Sequence, residues 1–90
     1  MSEEDFETQS EKEQIGFVTH YFAKIGVAVI KLGKDLKVGD KIEFGALEPF
    51  TQEITSMQVE HHNVNEAKSG QEIGLKTDKP VHENNKVYRA

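Results

Sequence analysis

Three seven-residue segments of this 90-residue chain share one pattern. Each has an apolar residue, a glycine or asparagine three positions later, and a β-branched apolar residue three positions after that; the segments begin at Leu36, Ala67 and Val81. Glycine and asparagine tolerate a positive φ, so each segment is predicted to be a tight turn that leads into a strand. We expect positive φ angles at Gly39, Gly70 and Asn84. The apolar residues that flank each turn are expected to be buried in the core of the barrel.

The rest of the sequence carries strand signals only. Residues 15–23 and 27–32 are rich in β-branched and aromatic residues, and the short connection around Gly26 predicts a β-hairpin between them. Further strands are predicted at residues 41–45, 50–61, 71–77 and 86–89. No stretch has sustained helical periodicity, and a single turn around residues 65–68 is the most we expect. The sequence predicts an all-β fold, a small closed six-stranded barrel over residues 15–90.

The apolar residues of the fourth predicted strand change phase. Ile54 is at an even position, whereas Met57 and Val59 are odd, so an unbroken strand would expose one set or the other. A β-bulge near Thr55 and Ser56 would remove the conflict. The side chains predicted to form the core are Val18, Ala28, Ile30, Leu32, Ile42, Phe44, Ile54, Met57, Val59, Ile73, Leu75 and Val87.

The net charge of −5 is concentrated at the N-terminus. Residues 1–14 contain six acidic residues and one lysine, whereas residues 15–90 contain ten acidic and ten basic residues. Residues 1–14 also have a single large apolar residue, Phe6, and no periodicity, which predicts a disordered acidic tail. Residues 15–90 have no net charge, so they lack the strong positive charge that drives tight, sequence-independent nucleic-acid binding.

Composition excludes several classes of protein. The chain has no cysteine, which excludes disulfides, thiolate metal sites and thiol catalysis, and favours a reducing compartment. No apolar run approaches the roughly 20 residues of a membrane span, and the acidic N-terminus differs from a signal peptide. We therefore expect a cytoplasmic monomer that does not bind membranes.

Several motifs resemble the β-barrel second domain of elongation factor Tu and related translation GTPases: Gly16-x-Val18, Gly26-x-Ala28-x-Ile30, Leu36-Lys37-x-Gly39-Asp40-x-Ile42, Ile54-x-x-Met57-x-Val59 and Ala67-x-x-Gly70-x-x-Ile73-Gly74-Leu75. The resemblance covers residues 15–90. The segment from Val18 to Ala28 is more similar still to the short C-terminal barrel of collagenase-like peptidases, and to small free-standing translation elongation factor-like proteins. No Gly-x-x-x-x-Gly-Lys-Ser/Thr loop is present, so neither nucleotide binding nor GTPase activity is implied.

No catalytic, cofactor or metal residues are predicted. The histidines His20, His61, His62 and His82 suggest a metal site, but adjacent histidines in a strand point to opposite faces and no further ligand has suitable spacing. The serines lie in the tail, the bulge and a turn, and no Gly-x-Ser-x-Gly elbow surrounds any of them.

A patch on the first hairpin is the candidate binding surface. Phe17 and Tyr21 are predicted to share the outward face of the first strand, beside Val27 and Val29 of the second and Lys24 at the turn. The binding residues predicted are Phe17, Tyr21 and Lys24. The alternative is that a thin barrel packs both faces of its long hairpin under loops or the tail.

Two functions follow for a non-catalytic binding module. The resemblance to translation factors implies contact with RNA or the ribosome. The alternative is a protein–protein interaction module, as the resemblance to the barrel appended to collagenase-like peptidases implies. The two functions can be distinguished by where the ten basic residues within 15–90 lie in the fold. Clustering of these residues on one face favours RNA as the partner, whereas mixing with acidic residues favours a protein.

Overall fold

The computed structural model describes residues 12–90, and within that range the chain forms ten β-strands and no helix. The strands are β1 (Glu13–Phe22), β2 (Val27–Leu32), β3 (Leu36–Lys37), β4 (Lys41–Gly45), β5 (Phe50–Glu53), β6 (Met57–Val59), β7 (His62–Val64), β8 (Glu66–Ala67), β9 (Glu72–Lys76) and β10 (Lys86–Arg89). Since no helix is present in this range, none is long and apolar enough to cross a membrane.

Eight strands form one antiparallel sheet in the order β5-β4-β10-β1-β2-β9-β6-β7, while β3 pairs with β8 separately. The all-β class is confirmed. The closed six-stranded barrel is wrong, because the main sheet is an open, curled half-barrel whose edges are β5 and β7. The Gln52 side chain spans the gap beside β5, donating from Nε2 to the Lys76 carbonyl at 2.9 Å and accepting from the Asp78 N–H at 2.8 Å.

The predicted strand at residues 50–61 is also wrong. The chain leaves β5 at Glu53 and enters β6 at Met57, and the two strands pair with different neighbours. β5 pairs with β4 near one edge, whereas β6 pairs with β9 and β7 near the other. The phase change in the sequence therefore marks a crossing between the two sides of the half-barrel. A bulge within one strand does not account for it. In place of the helical turn expected at residues 65–68, the chain forms β8, Glu66–Ala67.

The three predicted turns are equivalent in the structure. The φ angles of Gly39, Gly70 and Asn84 are 100°, 95° and 76°, as predicted. In each turn the residue that follows the positive-φ residue donates its backbone N–H, over 3.1 Å, to the carbonyl of the residue three positions before itself. The residue that provides this carbonyl donates its own N–H in return to the side chain of the first residue, which is Asp40, Gln71 or Asn85.

Each turn also docks on one buried residue of another segment. The N–H groups of Gly39, Gly70 and Asn84 donate to the carbonyls of Ile54, Leu32 and Val18, respectively, at 2.7–2.8 Å. The N–H of each of these acceptor residues donates back to the turn at 2.8–2.9 Å. Because the same pair of backbone hydrogen bonds recurs in all three turns, the half-barrel has an approximate internal three-fold repeat.

The third turn gives a direct test of this equivalence. Replacing Asn84 with valine should lower the free energy of unfolding by roughly 1–2 kcal/mol, because a β-branched side chain is strained at a positive φ. Asn84→Gly should be neutral or slightly stabilising. Urea unfolding followed by circular dichroism measures both, and equal stabilities for the valine and glycine variants would contradict the equivalence.

The core prediction is confirmed. All the predicted side chains are buried except Val59, which is half-buried against the core. The apolar residues that open the three repeats, Leu36, Ala67 and Val81, are buried as expected, and Ile15 joins them. At roughly 25 cal/mol per Å² of apolar surface, this single cluster is the main source of stability in so small a domain.

Most of the predicted tail lies outside the described residues. Its last two residues, Glu13 and Gln14, belong to β1, which therefore begins before residue 15. The Glu13 carboxylate receives hydrogen bonds from Lys34 and Arg89, both at 3.1 Å, and these hydrogen bonds hold the pKa of Glu13 below its ordinary value.

Candidate functional site

A β-bulge at Thr19 decides which side chains of β1 face outward. Val18 pairs with Ile30 of β2, but His20 pairs with Val29, so Thr19 is an extra residue. Directly opposed residues in an antiparallel pair share a face. Phe17 and Val18 therefore keep the predicted register, whereas every residue after Thr19 is turned to the opposite face.

The bulge separates the predicted binding residues. Phe17 lies on the outer face and is 39% exposed. Tyr21 pairs with the fully buried Ala28 and is half-buried against the core, so the prediction that it shares a face with Phe17 is wrong. Lys24 is exposed in the hairpin turn. Phe22 takes the outward position instead, opposite Val27.

A groove of about 930 Å³ crosses the outer face of β2, β9 and β6. We call it the outer groove. Its apolar end is formed by Phe22, Ile25 and Val27, of which Phe22 and Ile25 are 46% and 59% exposed. Val29 continues the apolar lining along β2. Apolar side chains exposed singly need no explanation, but a contiguous set is a candidate interaction surface.

Gly74 forms the floor of the outer groove. It lies in the middle of β9, opposite Val29 on one side and Gln58 on the other, and its neighbours Ile73 and Leu75 point into the core. Its φ is not positive, and a Cβ there would meet only Val27, at an ordinary 3.8 Å. The fold does not require glycine here. Glycine inside a strand often marks close approach of a ligand or another backbone.

The opposite end of the outer groove is a strained turn. Val59 pairs with His62, so Glu60 and His61 form a two-residue hairpin loop, and both have positive φ angles of 51° and 67°. Such loops strongly prefer Asn-Gly, because other side chains clash with the backbone. Strain of this kind is concentrated at functional sites. Both residues line the groove.

Relieving this strain should stabilise the protein. Replacing Glu60 with asparagine and His61 with glycine is expected to raise the free energy of unfolding by about 1–2 kcal/mol, since both residues then suit a positive φ. Glu60→Gln keeps the strain and should leave stability unchanged. Urea unfolding of the two variants measures the difference. A loss of stability in the double variant would mean that the native side chains offset the strain with contacts of their own.

Several basic residues of the described part of the chain lie beside acids. The ion pairs join Lys12 to Glu43, Lys34 to Glu13, Lys68 to Glu66, and Arg89 to both Glu13 and Asp40, at 2.9–3.3 Å. Across neighbouring strands, Lys31 faces Glu72 and Lys41 faces Glu53. These basic residues therefore lie beside acids and do not form a separate cluster.

The histidines are spread over the surface. His20 lies 3.4 Å from Glu83, and its ring packs against Phe22 with the ring centroids 4.4 Å apart. The His62 ring contacts the Glu60 carbonyl at 2.9 Å. Among residues 12–90, no three histidine, aspartate or glutamate side chains are grouped so as to hold a metal ion. The side chains lining the outer groove include no hydroxyl or thiol nucleophile.

Sequence reasoning placed only part of this site. It assigned Val27 and Val29 to the outer face correctly, but it missed Phe22, because the bulge at Thr19 leaves no clear mark in the residue pattern. Gly74 and the Glu60-His61 turn were also missed. The signal for Gly74 was a glycine between two core residues of a strand, which is a departure from strand propensity.

No protein-family model matches the chain. An uncharacterized protease of Methanocaldococcus jannaschii is 39% identical to it over 79 residues, which are 86% of this chain. The chain spans about a fifth of that relative's length, since the match covers 19% of it.

Two crystal structures of one domain have a similar fold. They are the C-terminal domain of a putative U32 peptidase from Geobacillus thermoleovorans and its selenomethionine variant, each with a TM-score of 0.82 and 26% sequence identity. The similarity covers 87% of this chain in both cases, with 92% of the first of those chains and 100% of the selenomethionine variant. These comparisons support the resemblance to the peptidase-associated barrel and give no support to the resemblance to elongation factor Tu.

Proposed function

Because the chain is similar to the C-terminal domain of a putative U32 peptidase, we propose that it is a non-catalytic protein-binding module of the kind appended to such peptidases. The observation that carries this proposal is the outer groove, whose exposed apolar end is formed by Phe22, Ile25 and Val27. Such a surface is stabilised when a partner removes it from water.

Two further observations favour protein over RNA as the partner. Several basic residues lie beside acids, either in ion pairs or as facing neighbours on adjacent strands, and this mixing favours a protein partner over a phosphate backbone. The curated relative and the solved structures are a protease and a peptidase domain. RNA contact would instead use an aromatic side chain flanked by lysines, as at Phe17, which pairs with Lys86 on one side and Lys31 on the other.

The test is affinity capture from a lysate with the full chain as bait, with and without nuclease. We expect a captured protein that survives nuclease treatment and is lost from the Ile25→Asp variant, because a carboxylate at a 59% exposed groove position opposes apolar burial.

Leu47→Asp provides the matched control. Leu47 is 98% exposed in the loop after β4 and does not line the outer groove, so the same change there should leave capture intact. Capture that disappears with nuclease would favour RNA contact. Capture that responds equally to both aspartate variants would show that the outer groove is not the binding surface.

A further inference from the structure

The outer groove differs chemically from one end to the other. Phe22, Ile25 and Val27 line one end, whereas Lys31, Glu60 and Glu72 line the other. The pairs Val27–Lys76 and Lys31–Glu72 mark the two ends, four residues apart on β2, which is about 13 Å at the rise of a strand. A partner must therefore present an apolar group and a polar group about that far apart.

The charged end favours a cation. Glu60 and Glu72 supply two carboxylates, and Lys31 faces Glu72 across the β2–β9 pair, so the three charges sum to −1. Glu60 belongs to the strained turn and lines the groove. A guanidinium or ammonium group of the partner would complement this end, and arginine could bond both carboxylates through its planar fork.

The middle of the groove has room for a side chain of the partner. Gly74 leaves the floor without a side chain, so a partner's side chain can come closer to the backbone of β9 there than over any other outward residue of that strand. In an extended segment the side chains of residues i, i+2 and i+4 point the same way and span about 13 Å, which matches the distance between the two ends.

We infer that the outer groove binds an extended polypeptide segment with apolar side chains at positions i and i+2 and an arginine or lysine at i+4. The first apolar side chain packs against Phe22, Ile25 and Val27. The second fills the space above Gly74, and the cation reaches Glu60 and Glu72. This inference rests on the proposed protein-binding function and adds the chemistry and conformation of the partner.

The test is selection of a random-sequence peptide display library on the full chain, with counter-selection on the Gly74→Val variant, whose side chain fills the groove floor. We expect enriched peptides to share the apolar-x-apolar-x-basic spacing. Fluorescence anisotropy of a selected peptide should show binding at least about tenfold weaker to Gly74→Val. Gly33→Val is the control, because Gly33 is exposed, has an ordinary φ and lies outside the groove.

A second pair of variants tests the charged end. Changing both Glu60 and Glu72 to glutamine should weaken the basic peptide about tenfold, and should not affect the same peptide with its basic residue replaced by glutamine. Circular dichroism and the melting temperature of each variant establish that it is folded.

Three results would overturn the inference: no enrichment, enriched residues spaced by three and four as on a helix, or equal binding to the wild type and Gly74→Val. If any of these occurred while lysate capture still depended on Ile25, the proposed function would stand and only the inferred partner would be wrong. Capture that is lost after nuclease treatment would instead contradict the proposed protein-binding function itself.

Discussion

Replacing Ile30 with alanine is expected to lower the free energy of unfolding by about 2–5 kcal/mol, a large share of the stability of a domain this small. Ile30 lies at the centre of β2, is fully buried, and pairs with Val18 on one side and Ile73 on the other. The loss combines the transfer energy of the removed methyl and methylene groups with the cavity left between three strands. Urea unfolding measures it.

Val29→Ala is the matched control on the same strand. Val29 is half-buried on the outer face, where a truncated side chain leaves a space open to solvent instead of a cavity. We expect a cost of less than about 1 kcal/mol from its smaller loss of buried area. Equal losses for the two variants would show that the inner face of β2 is not the core of the sheet.

Gly16→Ala is expected to destabilise the protein by about 3 kcal/mol or more, for steric reasons. Gly16 is buried in β1 between β10 and β2, and an added Cβ would overlap the Lys31 carbonyl oxygen and lie 3.1 Å from a methyl group of Ile30. The obstructing oxygen belongs to the backbone of β2, so relief requires the two strands to separate.

Gly33→Ala is the control for Gly16. The nearest atom to a Cβ at Gly33 is 3.9 Å away, so this variant should be neutral or slightly stabilising. A thermal melt distinguishes the two alanine variants without further analysis. If Gly16→Ala melted at the wild-type temperature, the close approach of β1 to β2 would be incorrect.

The parts of the fold that could be predicted are those that local chemistry determines. The strands at β4 and β10 and the positive φ angles of the three turns follow from residues within each segment, because turn residues restrict their own backbone. The side chains that close these turns, Asp40, Gln71 and Asn85, share a position in the repeat but differ in type, and their common role becomes visible only in the hydrogen bonds.

The parts that could not be predicted depend on long-range pairing. The phase change between Ile54 and Met57 has two local explanations, a bulge or a crossing, and only the strand partners distinguish them. The bulge at Thr19 reversed the predicted face of Tyr21 for the same reason. The candidate groove lies where strands distant in sequence meet, so its residues have no common pattern in the sequence.

The position of β10 has a consequence for biosynthesis. Residues 86–89 are not at an edge, because they lie between β4 and β1 within the main sheet. A nascent chain that lacks these residues would expose the hydrogen-bonding edges of both β1 and β4, and open edges are templates for aggregation. β4 and β5 cannot join the rest of the main sheet until this segment has been synthesised, so premature termination before Lys86 should yield insoluble chains instead of a shortened but folded domain.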